Sequence, residues 1–122
     1  MYKIVSFGER HGFPFKGPHD LFIDVRLWMK RNPYHDRKLR YLRGDDPEVI
    51  EDIEKTPKLE ESYQIILARV KQHACSNPCF TSTGHTYIFI GCTGGHHRSV
   101  YIADRLGRDL GLPVQHRDYN KK

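Results

Sequence analysis

Apolar and polar positions follow two different periods along the chain, and four short runs have the pattern of β-strands. Tyr2–Phe7 alternates loosely and stops at a glycine, whereas Leu21–Arg26 and Tyr87–Ile90 are rich in β-branched and aromatic residues. Such runs predict strands that are buried or half-buried in a sheet. Leu112–His116 is predicted to be a last short strand.

Three other segments have the spacing of amphipathic helices. Asp46 precedes Pro47 in the order expected of an N-cap and a first helical residue, and this helix is predicted to end near Lys55. The third helix is predicted to begin near Arg98 and to end at Gly111, which suits a left-handed C-cap. The second helix has one apolar face, whose members recur at steps of three and four: Leu59, Tyr63, Ile66, Leu67, Val70 and Ala74.

Strands that alternate with helices predict an α/β fold, with a small, mostly parallel sheet flanked by helices in a two- or three-layer sandwich. A chain of 122 residues is long enough for its own hydrophobic core, so residues 1–122 are expected to form a single domain. In an open parallel sheet the loops after successive strands gather at one edge. We therefore expect Arg10, Arg26 and Arg98 to lie within reach of one ligand.

The loop between the third strand and the third helix has the composition of an anion-binding loop. Glycines let a ligand approach the backbone, consecutive N–H groups can point at it, and the helix N-terminus adds partial positive charge. A plain strand-to-helix turn is the simpler interpretation, but the polar and titratable side chains crowded into this loop favour a ligand site. The candidate binding residues of the loop are Thr93, Gly94, Gly95, His96, His97, Arg98 and Ser99.

Cys92 and Arg98 stand in a C-x5-R-S spacing, which resembles the phosphate loop of cysteine-dependent phosphatases. In those enzymes a thiolate attacks phosphorus while the arginine holds the equatorial oxygens. A nucleophilic Cys92 is therefore an open alternative to simple anion binding. Such an enzyme also needs a general acid for the leaving oxygen, and the candidates are Asp24, Asp36 and Asp45.

Charged residues near the ends of the first two strands add further candidates. Arg10 and His11 follow the first strand and are candidate ligand-binding residues. Asp24 and Arg26 lie on the same side of the second predicted strand, where they form either a structural ion pair or a part of the ligand site. The next stretch mixes cations with aromatic rings, as in surfaces that attract a nucleic-acid backbone and stack on bases. Its candidate RNA-binding residues are Lys30, Arg31, Tyr34, Arg37, Lys38 and Arg40.

A net charge of +5 with eight histidines favours anionic partners such as phosphorylated metabolites or RNA. No apolar run approaches the roughly 20 residues that span a bilayer, and the first residues lack a signal-peptide pattern, so we expect a cytoplasmic protein without a membrane partner. The three cysteines are expected to be reduced thiols. Cys75, Cys79, His73 and His85 have too loose a spacing for a zinc site, and no metal or cofactor is expected. Arg117–Lys122 is expected to be a mobile basic tail.

Three blocks follow one another over nearly the whole chain: Ser6–Gly8 with His11 and Gly12, Asp24–Arg26 with Asn32, Pro33 and Asp36, and Gly91–Gly95 with His97–Ala103. Together they resemble the C-terminal domain of the bacterial RapZ/YvcJ family, and the last block is long and specific. In that family the domain follows an N-terminal nucleotide-binding domain, binds RNA and senses glucosamine-6-phosphate. The resemblance implies a phosphosugar-binding regulatory module that senses an amino-sugar phosphate and binds RNA. It also implies a homo-oligomer, because the family's C-terminal domains associate.

Position by position, the resemblance implies one pocket built from Thr93–Gly95, His97–Ser99, Arg10, His11, Asp24 and Arg26. The chain departs from the family pattern in three ways. It has no G-x4-G-K-[ST] phosphate loop, so an ATPase role of the family's other half is not carried over. Two extra residues lie between Arg26 and Asn32. His96 stands where a lysine or glutamine is common, which makes the local charge dependent on pH.

Overall fold

Four parallel strands form a sheet in the computed structural model, which describes residues 2–29, 33–76 and 86–120. The strands of these ranges are β1 (Tyr2–Gly8), β2 (Leu21–Asp24), β3 (Thr86–Cys92) and β4 (Val114–His116). Their α-helices are α1 (Pro47–Glu54), α2 (Leu59–Ser76) and α3 (Arg98–Leu110). The strand order is β2-β3-β1-β4 and each pairing is parallel, so the α/β class expected from the sequence is confirmed.

The register of the sheet brings the carboxyl ends of three strands together. Gly8 at the end of β1 pairs with Cys92 at the end of β3. Asp24 at the end of β2 pairs with Gly91, one residue before the end of β3. The loops that follow these strands therefore begin side by side at one edge of the sheet, which is where open parallel sheets bind ligands.

One face of the sheet carries the main hydrophobic core together with the helices. Its fully buried side chains include Ile4, Ile23, Ile88 and Ile90 from the strands, Tyr63 and Ile66 from α2, and Ile102 and Leu106 from α3. Burying a side chain of this kind stabilises the fold by roughly 1.5–3 kcal/mol. The apolar face predicted for α2 is confirmed, because Leu59, Tyr63, Ile66 and Val70 are buried and Leu67 packs against the core.

The opposite face of the sheet carries a smaller cluster that is largely aromatic. Val5, Phe7 and Phe89 are buried there, and Phe22 and Tyr87 pack partly buried against them. All of these residues belong to strands, whereas α1, α2 and α3 contribute to the core on the other face. Within the described residues the fold therefore has two layers, a sheet and the helices on one side of it.

The ends of α1 and α3 agree with the sequence signals. α1 begins at Pro47 with Asp46 as its N-cap, although the Asp46 carboxylate accepts a hydrogen bond from the Arg43 amide at 2.6 Å and not from the helix. α3 is followed by Gly111, whose left-handed backbone has a φ of 66°. None of the helices in the described ranges combines the length and the apolar character that crossing a bilayer requires.

The second strand is shorter than the sequence predicts. The apolar pattern predicts a strand that reaches Arg26, but β2 ends at Asp24 and Val25–Leu27 forms a 3-10 turn. The reason is local, since the Asp24 carboxylate accepts a hydrogen bond from the Arg26 amide at 3.0 Å and so competes with a sheet partner for that amide.

The prediction of a mobile tail is wrong for residues 117–120, while positions 121 and 122 lie outside the described residues. The Arg117 amide donates to the Ser6 carbonyl at 3.0 Å, which extends the contact of β4 with β1. Asp118 is fully buried, and the hydroxyl of Tyr119 donates to the Asp45 carboxylate at 3.0 Å. These contacts attach residues 117–119 to β1 and to the loop that contains Asp45.

Replacing Gly95 with alanine is expected to destabilise the fold. Gly95 has a φ of +77°, and a Cβ at this position would lie 2.5 Å from the amide nitrogen of Gly8. Backbone strain alone costs about 1–3 kcal/mol, and the contact with β1 adds to it. Urea unfolding measures the loss. Gly94→Ala is the matched control because its Cβ would have no neighbour nearer than 3.9 Å, so an equal loss in both variants would contradict this prediction.

Candidate functional site

A cavity of about 110 Å³ lies beside the loop that joins β3 to α3. Its lining residues are Arg10, Tyr34, Cys92, Thr93, Gly94, His96, His97 and Arg98. Among the described residues, the lining holds two guanidinium groups, two imidazoles and no carboxylate. Such a cavity favours an anionic occupant, because it offers several donors and positive charge. The Asp24 carboxylate acts on Arg98 through its charge but does not line the cavity.

The carbonyl groups of the loop are already bonded within the protein. The Thr93 carbonyl accepts a hydrogen bond from the Arg10 amide at 3.0 Å. The His96 carbonyl accepts one from the Gly44 amide at 2.7 Å, and the His97 carbonyl accepts one from the Tyr101 amide at 3.0 Å. By contrast, no backbone carbonyl of the described residues accepts a hydrogen bond from the amides of Gly94, Arg98 or Ser99. The last two belong to the first turn of α3, where amides lack intrahelical acceptors. The loop therefore keeps amide donors for an external acceptor.

Glycines bring the loop close to β1 and leave space where a ligand can enter. A Cβ on Gly8 would lie 2.3 Å from the carbonyl carbon of Gly94, so the two backbones are in direct contact. A Cβ on Gly94 would meet only Arg10 Nη2 and His96 Nδ1, each at 3.9 Å. The absent side chain of Gly94 thus leaves a small open volume between a guanidinium and an imidazole.

Arg98 is buried at the beginning of α3 and is only 5% exposed. Its Nη1 donates to the Met29 carbonyl at 2.9 Å, while its Nε has no hydrogen-bond partner within the described residues. Burial lowers the pKa of Arg98 below its ordinary value, whereas the nearby Cys92 acts in the opposite direction. A buried guanidinium with an unused donor is costly, and an anion that accepts from Nε would offset that cost.

Two histidines, His96 and His97, line the cavity, and the ring of His11 lies near that of His96. The ring centroids of His96 lie 6.2 Å from those of His11 and of His97. His97 is 5% exposed, and its Nε2 has no hydrogen-bond partner among the described residues. Burial lowers the pKa of His97, and the neighbouring His96 lowers it further. The His97 ring is therefore neutral at neutral pH, and an anion bound beside it would favour its protonated form.

Two candidate residues, Asp24 and Arg26, bind each other and do not line the cavity. Arg26 Nε donates to Asp24 Oδ1 at 2.9 Å and Nη2 donates to Oδ2 at 2.7 Å, and the same Nη2 also forms an ion pair with Glu9. The hydrogen bond from Arg26 is the main reason why the pKa of Asp24 is lowered. Of the two alternatives that the sequence leaves open, the contacts favour the structural ion pair, and a ligand role for this pair stays a prediction.

The described part of the predicted RNA surface is exposed and lies next to the cavity. Arg37 and Lys38 are exposed, and the guanidinium of Arg40 lies 4.8 Å from the ring centroid of Tyr34, which also lines the cavity. Arg40 Nε donates to the Tyr34 carbonyl at 3.0 Å. Lys30 and Arg31, the other two candidates, lie outside the described residues.

The residues considered for a zinc site are only partly described. Cys75 is exposed near the end of α2, and His73 Nε2 lies 2.7 Å from the His19 carbonyl. Cys79 and His85 lie outside the described residues. In the ranges that the structure describes, no three His, Cys, Asp or Glu side chains are grouped so that they could hold a metal ion.

Asp118 supports the site, although the sequence analysis placed it in a mobile tail. Its fully buried carboxylate accepts a hydrogen bond from the Gly8 amide at 2.7 Å and pairs with Arg117 Nη2 at 2.7 Å. Arg117 Nη2 also donates to the Gly12 carbonyl at 2.6 Å. Together these bonds hold both ends of the turn that carries Arg10.

The chain is similar in sequence to a known domain family and to several longer proteins. Residues 1–120 match the family model described as the RapZ C-terminal domain. A nucleotide-binding protein of Azotobacter vinelandii is 42% identical over 124 residues, which cover 96% of this chain and 41% of that protein. One from Pseudothermotoga lettingae is 38% identical over 130 residues, which cover 99% and 43%. A third, described as a nucleotide-binding protein in the ptsN-ptsO intergenic region of Stutzerimonas stutzeri, is 42% identical over 96% of this chain. The chain spans about two fifths of the length of these relatives.

The stability of the protein is expected to fall on mild acidification because of His97. Burial lowers the pKa of His97 from 6.5, so the unfolded chain binds a proton at a higher pH than the folded chain does. The free energy of unfolding therefore decreases as the pH falls from about 7 to about 5. His97→Gln cannot be protonated and should show a shallower decrease, measured by urea unfolding in a phosphate-free buffer. Parallel pH profiles of the two proteins would show that His97 does not carry the effect.

Proposed function

The chain belongs to the family of RapZ C-terminal domains, and from this premise we propose that it is a regulatory module that binds a phosphorylated amino sugar resembling glucosamine-6-phosphate. The observation that carries the proposal is the convergence of Arg10, His97 and Arg98 on one cavity whose lining holds no carboxylate. The amides of Gly94 and Ser99, to which no described backbone carbonyl is bonded, supply further donors for phosphate oxygens.

The size of the cavity supports a ligand that is held by its phosphate end. Cavities that enclose a whole drug-sized molecule usually measure about 300–1,000 Å³. The present cavity measures about 110 Å³, which suits a phosphate group with the sugar extending outside it. Tyr34 is 43% exposed and lines the cavity, so the part of its ring that Arg40 does not cover would contact the apolar face of a sugar.

Calorimetric titration is expected to show binding of inorganic phosphate and glucosamine-6-phosphate, and much weaker binding of glucosamine. Arg98→Ala should weaken phosphate binding by roughly 1.5–3 kcal/mol, the range of a charge-assisted hydrogen bond. Arg10→Ala should weaken it by about 1 kcal/mol, and because Arg10 is exposed this variant tests the site with little risk to the fold.

Arg69→Ala is the matched control, since Arg69 is exposed on α2 and does not line the cavity. Its phosphate affinity should equal that of the unchanged protein. Equal affinities for glucosamine and its phosphate, or equal losses in the Arg10 and Arg69 variants, would count against the proposed site.

RNA binding is the second function that we propose, on the surface formed by Tyr34, Arg37, Lys38 and Arg40. Arg37, Lys38 and Tyr34 are all exposed in this short segment. The guanidinium of Arg40 lies over the Tyr34 ring. Cations attract the phosphate backbone of single-stranded RNA, and aromatic rings stack on its bases.

A double change of Arg37 and Lys38 to alanine is expected to weaken binding to many RNA sequences alike. The slope of log K against log salt concentration should decrease by about one for each phosphate contact that is lost. The same change at Arg69 and Lys71 of α2 removes an arginine and a lysine that are also exposed, so it controls for net charge. If both double variants lose the same affinity, the RNA surface does not include Arg37 and Lys38.

A cysteine-dependent phosphatase is the alternative, because Cys92 lines the cavity and its Sγ accepts a hydrogen bond from the Gly95 amide at 3.3 Å. The position of the carboxylates argues against it. Asp24 is paired with Arg26, and neither Asp36 nor Asp45 is a lining residue, so none of the three candidate carboxylic acids lies at the cavity. We expect no turnover of an aryl phosphate. Turnover that disappears in Cys92→Ser would establish the alternative.

The relatives are called nucleotide-binding proteins, but we do not extend that property to this chain. It matches about two fifths of their length and has no G-x4-G-K-[ST] motif. A cytoplasmic location and self-association remain predictions from the sequence.

A further inference from the structure

The thiol of Cys92 lies in the cavity, and the proposed phosphate binding does not use it. Sγ receives a hydrogen bond from the Gly95 amide at 3.3 Å and lies 3.1 Å from the Ser99 hydroxyl. The side chain is only 4% exposed, yet it shares the lining with Arg10 and Thr93, which are both exposed. The cavity therefore connects Sγ to solvent.

The surroundings of Sγ suit a negatively charged oxygen attached to it. The Gly95 amide points at the atom, the buried guanidinium of Arg98 shares its cavity, and α3 begins six residues after Cys92 and directs its N-terminus to this edge. Amide donors, cations and helix N-termini all stabilise such an oxygen, and the thiolate form of a cysteine is the one that attacks electrophiles.

A second observation points to an anion at the same place. Arg98 Nε and His97 Nε2 belong to side chains that are about nineteen-twentieths buried and that line the cavity. Neither atom has a hydrogen-bond partner within the described residues. Arg98 Nε–H is a donor, and His97 Nε2 becomes one when an anion beside it favours the protonated ring. Both atoms therefore suit the oxygens of a phosphate, and they equally suit a negatively charged oxygen that is covalently attached to Sγ.

We propose that Cys92 is a site of oxidation by hydroperoxides, and that its sulfenate occupies the anion site so that oxidation and phosphate binding exclude each other. The second half of this inference rests on the proposed function. In the reaction the thiolate attacks one peroxide oxygen, an S–O bond forms and the O–O bond breaks. Sulfur loses two electrons and the hydroperoxide is reduced. The departing hydroxide or alkoxide takes up the proton of the sulfenic acid, which leaves a sulfenate together with water or an alcohol.

The test uses the full chain with Cys75→Ser and Cys79→Ser, which leaves Cys92 as its one thiol. The protein is treated with hydrogen peroxide, the sulfenate is trapped with a 1,3-diketone, and the adduct is located by mass spectrometry. We expect one adduct, on Cys92, formed at least tenfold more slowly in saturating inorganic phosphate. In a Cys92→Ser chain the exposed thiol of Cys75 is the matched control, and its reaction should not depend on phosphate.

A binding measurement tests the exclusion from the other side. Oxidised protein should bind inorganic phosphate at least tenfold more weakly than reduced protein, with recovery after treatment with a thiol reductant. Cys92→Asp, which places a fixed carboxylate in the loop, should weaken phosphate binding at least tenfold more than the neutral change Cys92→Ser does. Urea unfolding of each sample distinguishes blocked binding from loss of the fold.

The outcomes separate this inference from the function beneath it. The inference is overturned if no adduct forms on Cys92, or if the adduct forms equally fast with phosphate present. In either case, binding of phosphate by the reduced protein would still uphold the proposed function. If the reduced, folded protein does not bind phosphate, the proposed function is overturned, and so is the mutual exclusion of oxidation and phosphate binding. An adduct on Cys92 would then support only the oxidation.

Discussion

The direct backbone contact between β1 and the loop after β3 is the constraint on which the rest of the structure depends. The parallel register places Gly8 beside Cys92, and a Cβ on Gly8 would lie 2.3 Å from the carbonyl carbon of Gly94. Any larger residue at the end of β1 would separate the two backbones. Because they touch, the turn that carries Arg10 is held against the loop that leads into Arg98, and cations from two distant parts of the sequence surround one cavity.

This arrangement places positive charge where water is scarce. The guanidinium of Arg98 is nearly buried and, within the described residues, has a carbonyl and no carboxylate as its partner. The imidazole of His97 avoids the same cost because burial lowers its pKa and keeps it neutral. The site is thus locally unfavourable for the empty protein, and the apolar core on the helical face supplies the stability that tolerates it. An anion would reverse this local balance.

Most of the fold could be predicted from the sequence because strand and helix patterns are local. The loop of the site was found for the same reason, since its glycines and polar residues directly follow an apolar strand. The pairing of Asp24 with Arg26 could not be decided from spacing alone, because the third member, Glu9, comes from another strand end. Asp118 was missed because the amide that it binds, that of Gly8, is 110 residues away in sequence, and no local pattern reports a contact of that range.

The order of the strands along the chain has a consequence for synthesis on the ribosome. β1 is made first, yet its partners in the sheet are β3 and β4, which are made last. A nascent chain therefore carries an apolar strand without neighbours until most of the sequence has emerged, and contacts so distant in sequence form slowly. The cavity is accordingly assembled only after β3 and the start of α3 have been synthesised, and before that stage the apolar β1 segment lacks the strands that pair with it.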